Sequence, residues 1–514
     1  MTASDAQVFL GKIDSPVTLD QWVTLAQGGG DVGLSSSTPA ALHDSRQVVE
    51  DAIADGRVVY GVNTGFGKLA NVQVGEEELG TLQRNLLLSH ATGVGKPFDD
   101  QVVRLALLLR VHSIAKGCSG VRLELVEALL NLYRNDLVPV VPEQGSVGAS
   151  GDLAPLAHLV LPVIGEGYVR RSGEVVHSAQ ALTDAGLEPI VLKAKEGLAL
   201  INGTQIMTAV GLLTLHRAQR VSRAADICCA STLEALQGSE RPYMPAVHEV
   251  RAHPGQRDTA INLRSLLKDS KIIPGHANCS KVQDAYSLRC APQVHGAAKE
   301  ALRFAESVLL REAESVTDNP LVFPDGEVVS AGNFHGQPIS QAMDILKIGI
   351  STLANISERR VENLVNPDIS GLPPFLAHNP GVESGLMIPQ VVAAALASEN
   401  KTLAHPASVD TVPTSANRED HVSMGVTAAR HARQVVDNSA RVLGIELISA
   451  MAGLDCGEGL EPGRGVRAAY GAVRARVEPL DSDRFLAPDL EAAFQLLVDG
   501  SLEDAVLSVT GPLL

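Results

Sequence analysis

The sequence predicts a mainly α-helical protein in which a bundle of long helices follows an irregular, mixed N-terminal part. Three observations predict it. The 514 residues are 45% apolar but only 3% aromatic, so Ala, Leu and Val must fill the core. Small side chains of that kind favour close helix–helix contact over a β-sandwich. From Asn202 onward, five Ala-rich segments repeat apolar residues at i, i+3, i+4 and i+7. Before that point Pro, Gly, Asn and Asp interrupt the chain at short intervals.

Two domains are expected on this texture, 1–201 and 202–514. In the first, strand-like β-branched runs such as 57–62 alternate with helical stretches such as 100–115. In the second, helices are predicted over 204–236, 294–316, 337–364, 385–404 and 421–453. Val422, Val426, Ala429, Ala432, Val436, Ala440, Val442 and Ile445 mark one stripe of the last. Helices this long with small apolar faces suit a long bundle or an oligomeric helical core. A Pro/Gly-rich stretch, 457–467, leads into a shorter C-terminal helical region, and there is no internal repeat.

Composition and motifs exclude several function classes. The net charge of −17 argues against general affinity for nucleic-acid phosphates or anionic lipid. The six cysteines form no CxxC pair, no secretory signal pattern opens the chain, and no apolar run has the length of a membrane span. A soluble cytoplasmic protein with reduced thiols is expected. Gly65, Gly67 and Ala70 mimic a dinucleotide fingerprint, but the acid that should follow is missing. The spacing of His248, Glu249 and His253 is one residue too long for a two-histidine zinc face, so no metal site is expected.

The stretch EQGSVGASGDLAPLAH, residues 143–158, is the most informative. In one reading, Ser150 or Asp152 caps a helix starting near Leu153, with Pro155 in its first turn. In the other, the backbone reacts. Attack of the Gly151 amide nitrogen on the Ala149 carbonyl carbon closes a five-membered ring. Loss of two waters, one from the Ser150 hydroxyl, leaves an imidazolone with an exocyclic methylidene. Glycine admits the close approach, serine supplies the leaving hydroxyl, and a small first residue permits the compressed turn.

With its surroundings, this stretch resembles the histidine and aromatic amino acid ammonia-lyases. The resemblance covers nearly the whole chain and rests on five motifs in family order. They are GSVGASGDLAPLAH at 145–158, VYGVNTGFG at 59–67, NGTQ at 202–205, QDAYSLRC at 283–290 and GNFHG at 332–336. The resemblance implies that Ala149, Ser150 and Gly151 form 4-methylidene-imidazol-5-one autocatalytically, with no external cofactor. It implies a mainly α fold, a homotetramer whose active sites draw on more than one subunit, and an amino acid as the small-molecule substrate.

Elimination of ammonia breaks a weakly acidic Cβ–H bond and expels a poor leaving group. Attack of the substrate amine on a methylidene carbon improves the leaving group, and a strong base then takes the β-proton. A tyrosine phenolate, with its reference pKa of about 10, is basic enough. Tyr60, in its Gly-rich loop, fits that role; Tyr286 is the second candidate, and the sequence leaves the division of steps open. Arg289, one helical turn on, suits a bidentate grip on the substrate carboxylate. Asn202 suits donation to the imidazolone oxygen, and Gln283 and Phe334 suit the pocket wall. Asp152 either assists ring closure or caps the helix.

Two positions speak to the substrate. Ser89-His90 resembles histidine-selective members, whereas tyrosine-selective members look like His-Leu there and phenylalanine-selective ones like Phe-Leu. An imidazole needs partners for two ring nitrogens, which His90 can supply. Glu419 can pair with an imidazole NH, where aromatic-selective members look to carry Gln. Arg418 departs from the Gln expected beside it. Conversion of L-histidine to trans-urocanate is therefore expected, with a tyrosine or phenylalanine ammonia-lyase or an aminomutase on the same group as alternatives.

Overall fold

The computed structural model describes residues 7–11, 16–65, 71–275, 282–457 and 459–514. Phe66 to Ala70 and Cys279 lie outside them. The described chain is mostly helical and divides into two compact units. One comprises Met1–Leu213, Glu306–Met343 and Pro406–Arg430; the other comprises Thr214–Ala305, Asp344–His405 and His431–Leu514.

The five Ala-rich segments are helices at Gln205–Ala235, Ala291–Ala313, Gln337–Val365, Met387–Leu403 and Gly425–Asp455. The last starts four residues later than its apolar pattern. Met424 takes φ 55°, and Ser423 Oγ accepts from Gly425 N, so the backbone leaves the helical path just before Gly425. All eight stripe residues of that segment are buried, but so are Val435, Leu443 and Leu447 on its other faces. A helix that is apolar nearly all round is buried all round.

The first unit is mixed. Strands Val8–Leu10 and Val32–Leu34 pair in parallel, with Val8 opposite Val32. An antiparallel sheet joins Val138–Pro139, Tyr168–Arg171 and Glu174–His177. The helix Asp100–Ile114 buries every residue from Leu105 onward, His112 and Arg110 included. The strand expected over 57–62 is a turn instead. Gly61 takes φ 72°, and the Asn63 side chain accepts from Val59 N at 2.8 Å, so the β-branched run curls back on itself. No helix among the described residues is long and apolar enough to cross a membrane. Five cysteines are free thiols: Cys118, Cys228, Cys229, Cys290 and Cys456.

In the second unit, Ala354, Val361, Ala393, Val442 and Ile445 form one buried cluster. Nearby, a Cβ on Gly349 would sit 2.9 Å from Ala301 Cβ and 3.4 Å from the Ala298 Cα. With few aromatics available, backbone proximity between small residues replaces large side chains as the source of packing. Gly349→Val should therefore lower stability by about 1–3 kcal/mol through overpacking. A denaturant midpoint unchanged from the parent would contradict this close approach.

Candidate active site

The loop before the Leu153–Val160 helix is built on three glycines with positive φ: Gly145 at 134°, Gly148 at 72° and Gly151 at 74°. Space demands glycine as strongly as dihedral angle does. A Cβ at Gly148 would lie 2.1 Å from Ser423 Oγ, and one at Gly151 would lie 2.0 Å from the Gly203 carbonyl oxygen. The loop is clamped from two sides. Asp152 N donates to Gly203 O at 2.7 Å, and Met424 N donates to Val147 O at 2.9 Å. Inside the loop, Gly148 N donates to Ser146 Oγ at 3.1 Å.

Asp152 does not cap the helix. No side-chain cap bond forms at that position; its Oδ2 accepts from Met207 N at 2.9 Å instead. The capping alternative is thus corrected: the carboxyl turns inward to satisfy the first turn of the Gln205–Ala235 helix. Full burial pushes its pKa up to about 7, against the pull of the backbone donors Met207 and Ile206.

A cavity of about 700 Å³ in the first unit opens over this loop. Of the residues expected at the site, Tyr60, Ser89, His90, Ser150, Asn202, Phe334 and Glu419 line it. Ala149 and Gly151, buried, flank Ser150. Gln283, Tyr286 and Arg289 belong to the second unit and are not among the lining residues. There, Tyr286 is 71% exposed, and the Arg289 guanidinium stands 4.5 Å from its ring centroid. Arg289 Nε also donates to Asp284 O at 3.1 Å.

Glu419 is the most constrained wall residue. Ser150 Oγ donates to its Oε1 at 3.2 Å, and Thr414 Oγ1 donates to its Oε2 at 2.7 Å. The backbones of Thr414 and Glu419 are also hydrogen-bonded to each other. Between them Ser415, Ala416 and Asn417 all take positive φ, at 51°, 51° and 66°. Each such non-glycine residue costs about 1–3 kcal/mol and persists only where its surroundings over-determine it. Arg418, exposed on the cavity wall, forms no ion pair among the described residues, so Glu419 is not paired by its neighbour.

At the end of the Leu79–His90 helix, Ser89 Oγ lies 3.1 Å from His90 Nδ1 and donates to Leu86 O at 3.2 Å. Burial holds the His90 imidazole below its ordinary pKa, against the opposing influence of the Leu86 carbonyl and Glu419. It is therefore neutral near pH 7 and keeps an acceptor nitrogen. The Asn202 amide donates to Asn319 O at 2.8 Å, while its Oδ1, also buried, has no partner among the described residues.

Sequence reasoning missed the support beneath Asn202. Arg110, fully buried, donates to Asn202 O at 2.8 Å and to Gln205 Oε1 at 3.0 Å. Burial lowers its pKa to about 10. One signal was available: a lone Arg inside the run LALLLRVHSIA, residues 105–115, must find buried acceptors. Thr414 gave no comparable signal, because its partner is defined only by the folded loop.

The buried Asp152 makes a pH-dependent prediction. Its pKa rises from 3.8 unfolded to about 7 folded, so across that window the native state holds a proton the unfolded chain releases. Its contribution to stability is therefore full below the unfolded pKa and is lost as pH rises towards 7. Asp152→Asn removes this slope. From about pH 5 to about pH 8, its stability should improve relative to the parent by about 3 kcal/mol. Denaturant titrations in which the difference stays constant with pH would contradict the assignment.

Residues 17–475 match the family model for aromatic amino acid lyases. The chain is 53% identical to the histidine ammonia-lyase of Myxococcus xanthus, covering 96% of this chain and 97% of that one. It is 52% identical to that of Gloeobacter violaceus, covering 97% of each. Among solved structures, histidine ammonia-lyase from Trypanosoma cruzi is similar at a TM-score of 0.90 and 41% identity, covering 98% and 95% of the two chains. Tyrosine aminomutase from Streptomyces globisporus is similar at 0.93 and 36%, covering 99% of each. The chain belongs to the aromatic amino acid lyase family.

Proposed function

We propose that this chain eliminates ammonia from L-histidine, without oxidation, to give trans-urocanate in histidine breakdown. One observation carries the reading: the Glu419 carboxylate stands 3.2 Å from Ser150 Oγ, the hydroxyl that ring formation removes, on a cavity whose wall also carries Ser89 and His90. A carboxylate and a neutral imidazole suit the two ring nitrogens of histidine; an apolar wall would suit a phenyl ring.

The reading includes a 4-methylidene-imidazol-5-one formed from Ala149, Ser150 and Gly151. The residues present fit it. The backbone at Gly151 is already pressed so closely on Gly203 that no side chain is tolerated, and the loop is clamped from both sides. The group would supply an electrophilic methylidene carbon that turns the substrate amine into a better leaving group. The rest falls to ordinary side chains. Tyr60, on the cavity wall, is the group we assign to the β-proton, with Tyr286 as the second proton-handling tyrosine. Asn202, which lines the same cavity as Ser150, would steady negative charge on the ring oxygen. Arg289 would hold the substrate carboxylate, and Gln283 and Phe334 would shape the pocket.

A homotetramer with shared sites is part of the reading. Tyr286, assigned a role on substrate, is exposed in the single chain, which supports its completing a site together with another copy. The free cysteines support a reducing compartment, and we assign the cytoplasm. The similarity to a tyrosine aminomutase keeps one alternative in view, an enzyme on the same group that returns the amine to Cβ.

The purified protein, without added cofactor, should convert L-histidine to a conjugated acrylate seen by its ultraviolet absorbance, and should leave L-tyrosine and L-phenylalanine unchanged. Turnover of tyrosine or phenylalanine instead would overturn the substrate assignment, and a β-amino acid product would favour the aminomutase. Glu419→Gln should lower kcat/KM for histidine by about 10- to 100-fold, the loss of a charge-assisted hydrogen bond. An unchanged value would remove Glu419 from the site.

A further inference from the structure

Tyr286 and Arg289 stand at the two ends of a helix only four residues long, Tyr286–Arg289. A single turn does not hold itself. Three side chains hold this one. Arg360 Nη1 donates to Ser287 O at 3.2 Å, Asn363 Nδ2 donates to Ser287 Oγ at 2.9 Å, and the Tyr243 hydroxyl donates to Leu288 O at 3.0 Å.

Behind that contact lies a buried polar group. Glu446 grips the Arg360 guanidinium at 2.5 and 2.8 Å, and its Oε1 also accepts from Thr232 Oγ1 at 2.7 Å. His295 Nδ1 lies 2.7 Å from Asp226 Oδ1, so it carries the proton and donates to that carboxylate. Its Nε2, 3.3 Å from Arg360 Nη1, is then an acceptor. Lys299 completes the set at 3.2 Å from Asp226. Two cations and two carboxylates thus balance around a neutral imidazole. Apolar residues of similar volume often serve stability as well as such a group does, so stability alone does not account for it. Among the described residues it reaches the C-terminal Leu514 through Lys299, and the Tyr286–Arg289 turn through the carbonyl of Ser287.

We propose that Arg360, backed by Glu446 and joined by Tyr243, is the positioning residue of the reaction. It fixes the Tyr286–Arg289 turn so that the phenol and guanidinium point together. This rests on the reading that those two side chains act on substrate. Arg360, Glu446 and Tyr243 are fully buried, and they act through the backbone of Ser287 and Leu288.

The test uses the full-length enzyme and two variants. Tyr243→Phe removes the hydrogen bond to Leu288 O, along with the hydroxyl's contact with Cys229, and should lower kcat/KM about tenfold. Arg360→Lys removes the bidentate pair and the Ser287 contact, and should lower it about 100-fold. In both, KM should rise as kcat falls, because Arg289 moves with the turn. A merely structural defect would instead reduce the fraction of active enzyme and leave KM unchanged. Amide hydrogen exchange at 288–290 should quicken in both variants, a readout that does not depend on which amino acid is the substrate. If Arg360→Lys does not fold, Tyr243→Phe decides. Kinetic constants within about twofold of the parent, with unaltered exchange, would overturn the proposal.

Discussion

A side chain at position 151 would bring its Cβ to 2.0 Å from the carbonyl oxygen of Gly203, and the residues around both glycines keep that contact closed. Gly203 has no room of its own, since a Cβ there would meet Arg110 Nη1 at 2.5 Å. Arg110 in turn holds Asn202 and Gln205, and Asp152 holds the amide of Met207 one turn further on. The Ala149–Gly151 tripeptide, the asparagine turn and the start of a long helix therefore form one tightly registered object. Moving any of them moves the others.

The cavity wall follows from the same constraint. Ser423 and Met424 clamp the loop at Gly148 and Val147, and the chain reaches them directly from Glu419. The strained run Ser415 to Asn417 is held by the Thr414–Glu419 hydrogen bonds, which aim the carboxylate at Ser150. The energy stored in three left-handed residues is maintained by a fixed loop on one side and a hydrogen-bonded bridge on the other. The second unit repeats the principle with different means: a four-residue turn carrying Tyr286 and Arg289 is fixed by a buried Arg–Glu pair.

Much of this is legible in the order of residues alone. Long Ala-rich segments mark the helices, because a 3.6-residue apolar period sustained over many turns fits a helix and no strand, and their ends fall within a few residues of the pattern. The glycines at 145, 148 and 151 mark a loop needing positive φ. What is illegible depends on partners distant in sequence. The run 57–62 reads as a strand by composition, and only Gly61 with the Asn63 side chain turns it back. Asp152 sits where a helix cap belongs, yet its carboxyl answers to Met207, which no local pattern reveals. The Arg360–Glu446 pair joins residues 86 apart in sequence, and a charge pattern along one helix does not announce such a partner.

On the function proposed above, Ala149, Ser150 and Gly151 are consumed to make the electrophile. Mass spectrometry of the peptide spanning residues 145–158 from the purified protein tests it most directly. The peptide should be lighter than the encoded sequence by two waters, with the loss confined to residues 149–151 and absent from Ser150→Gly. A peptide of full encoded mass in a preparation that turns over histidine would contradict it.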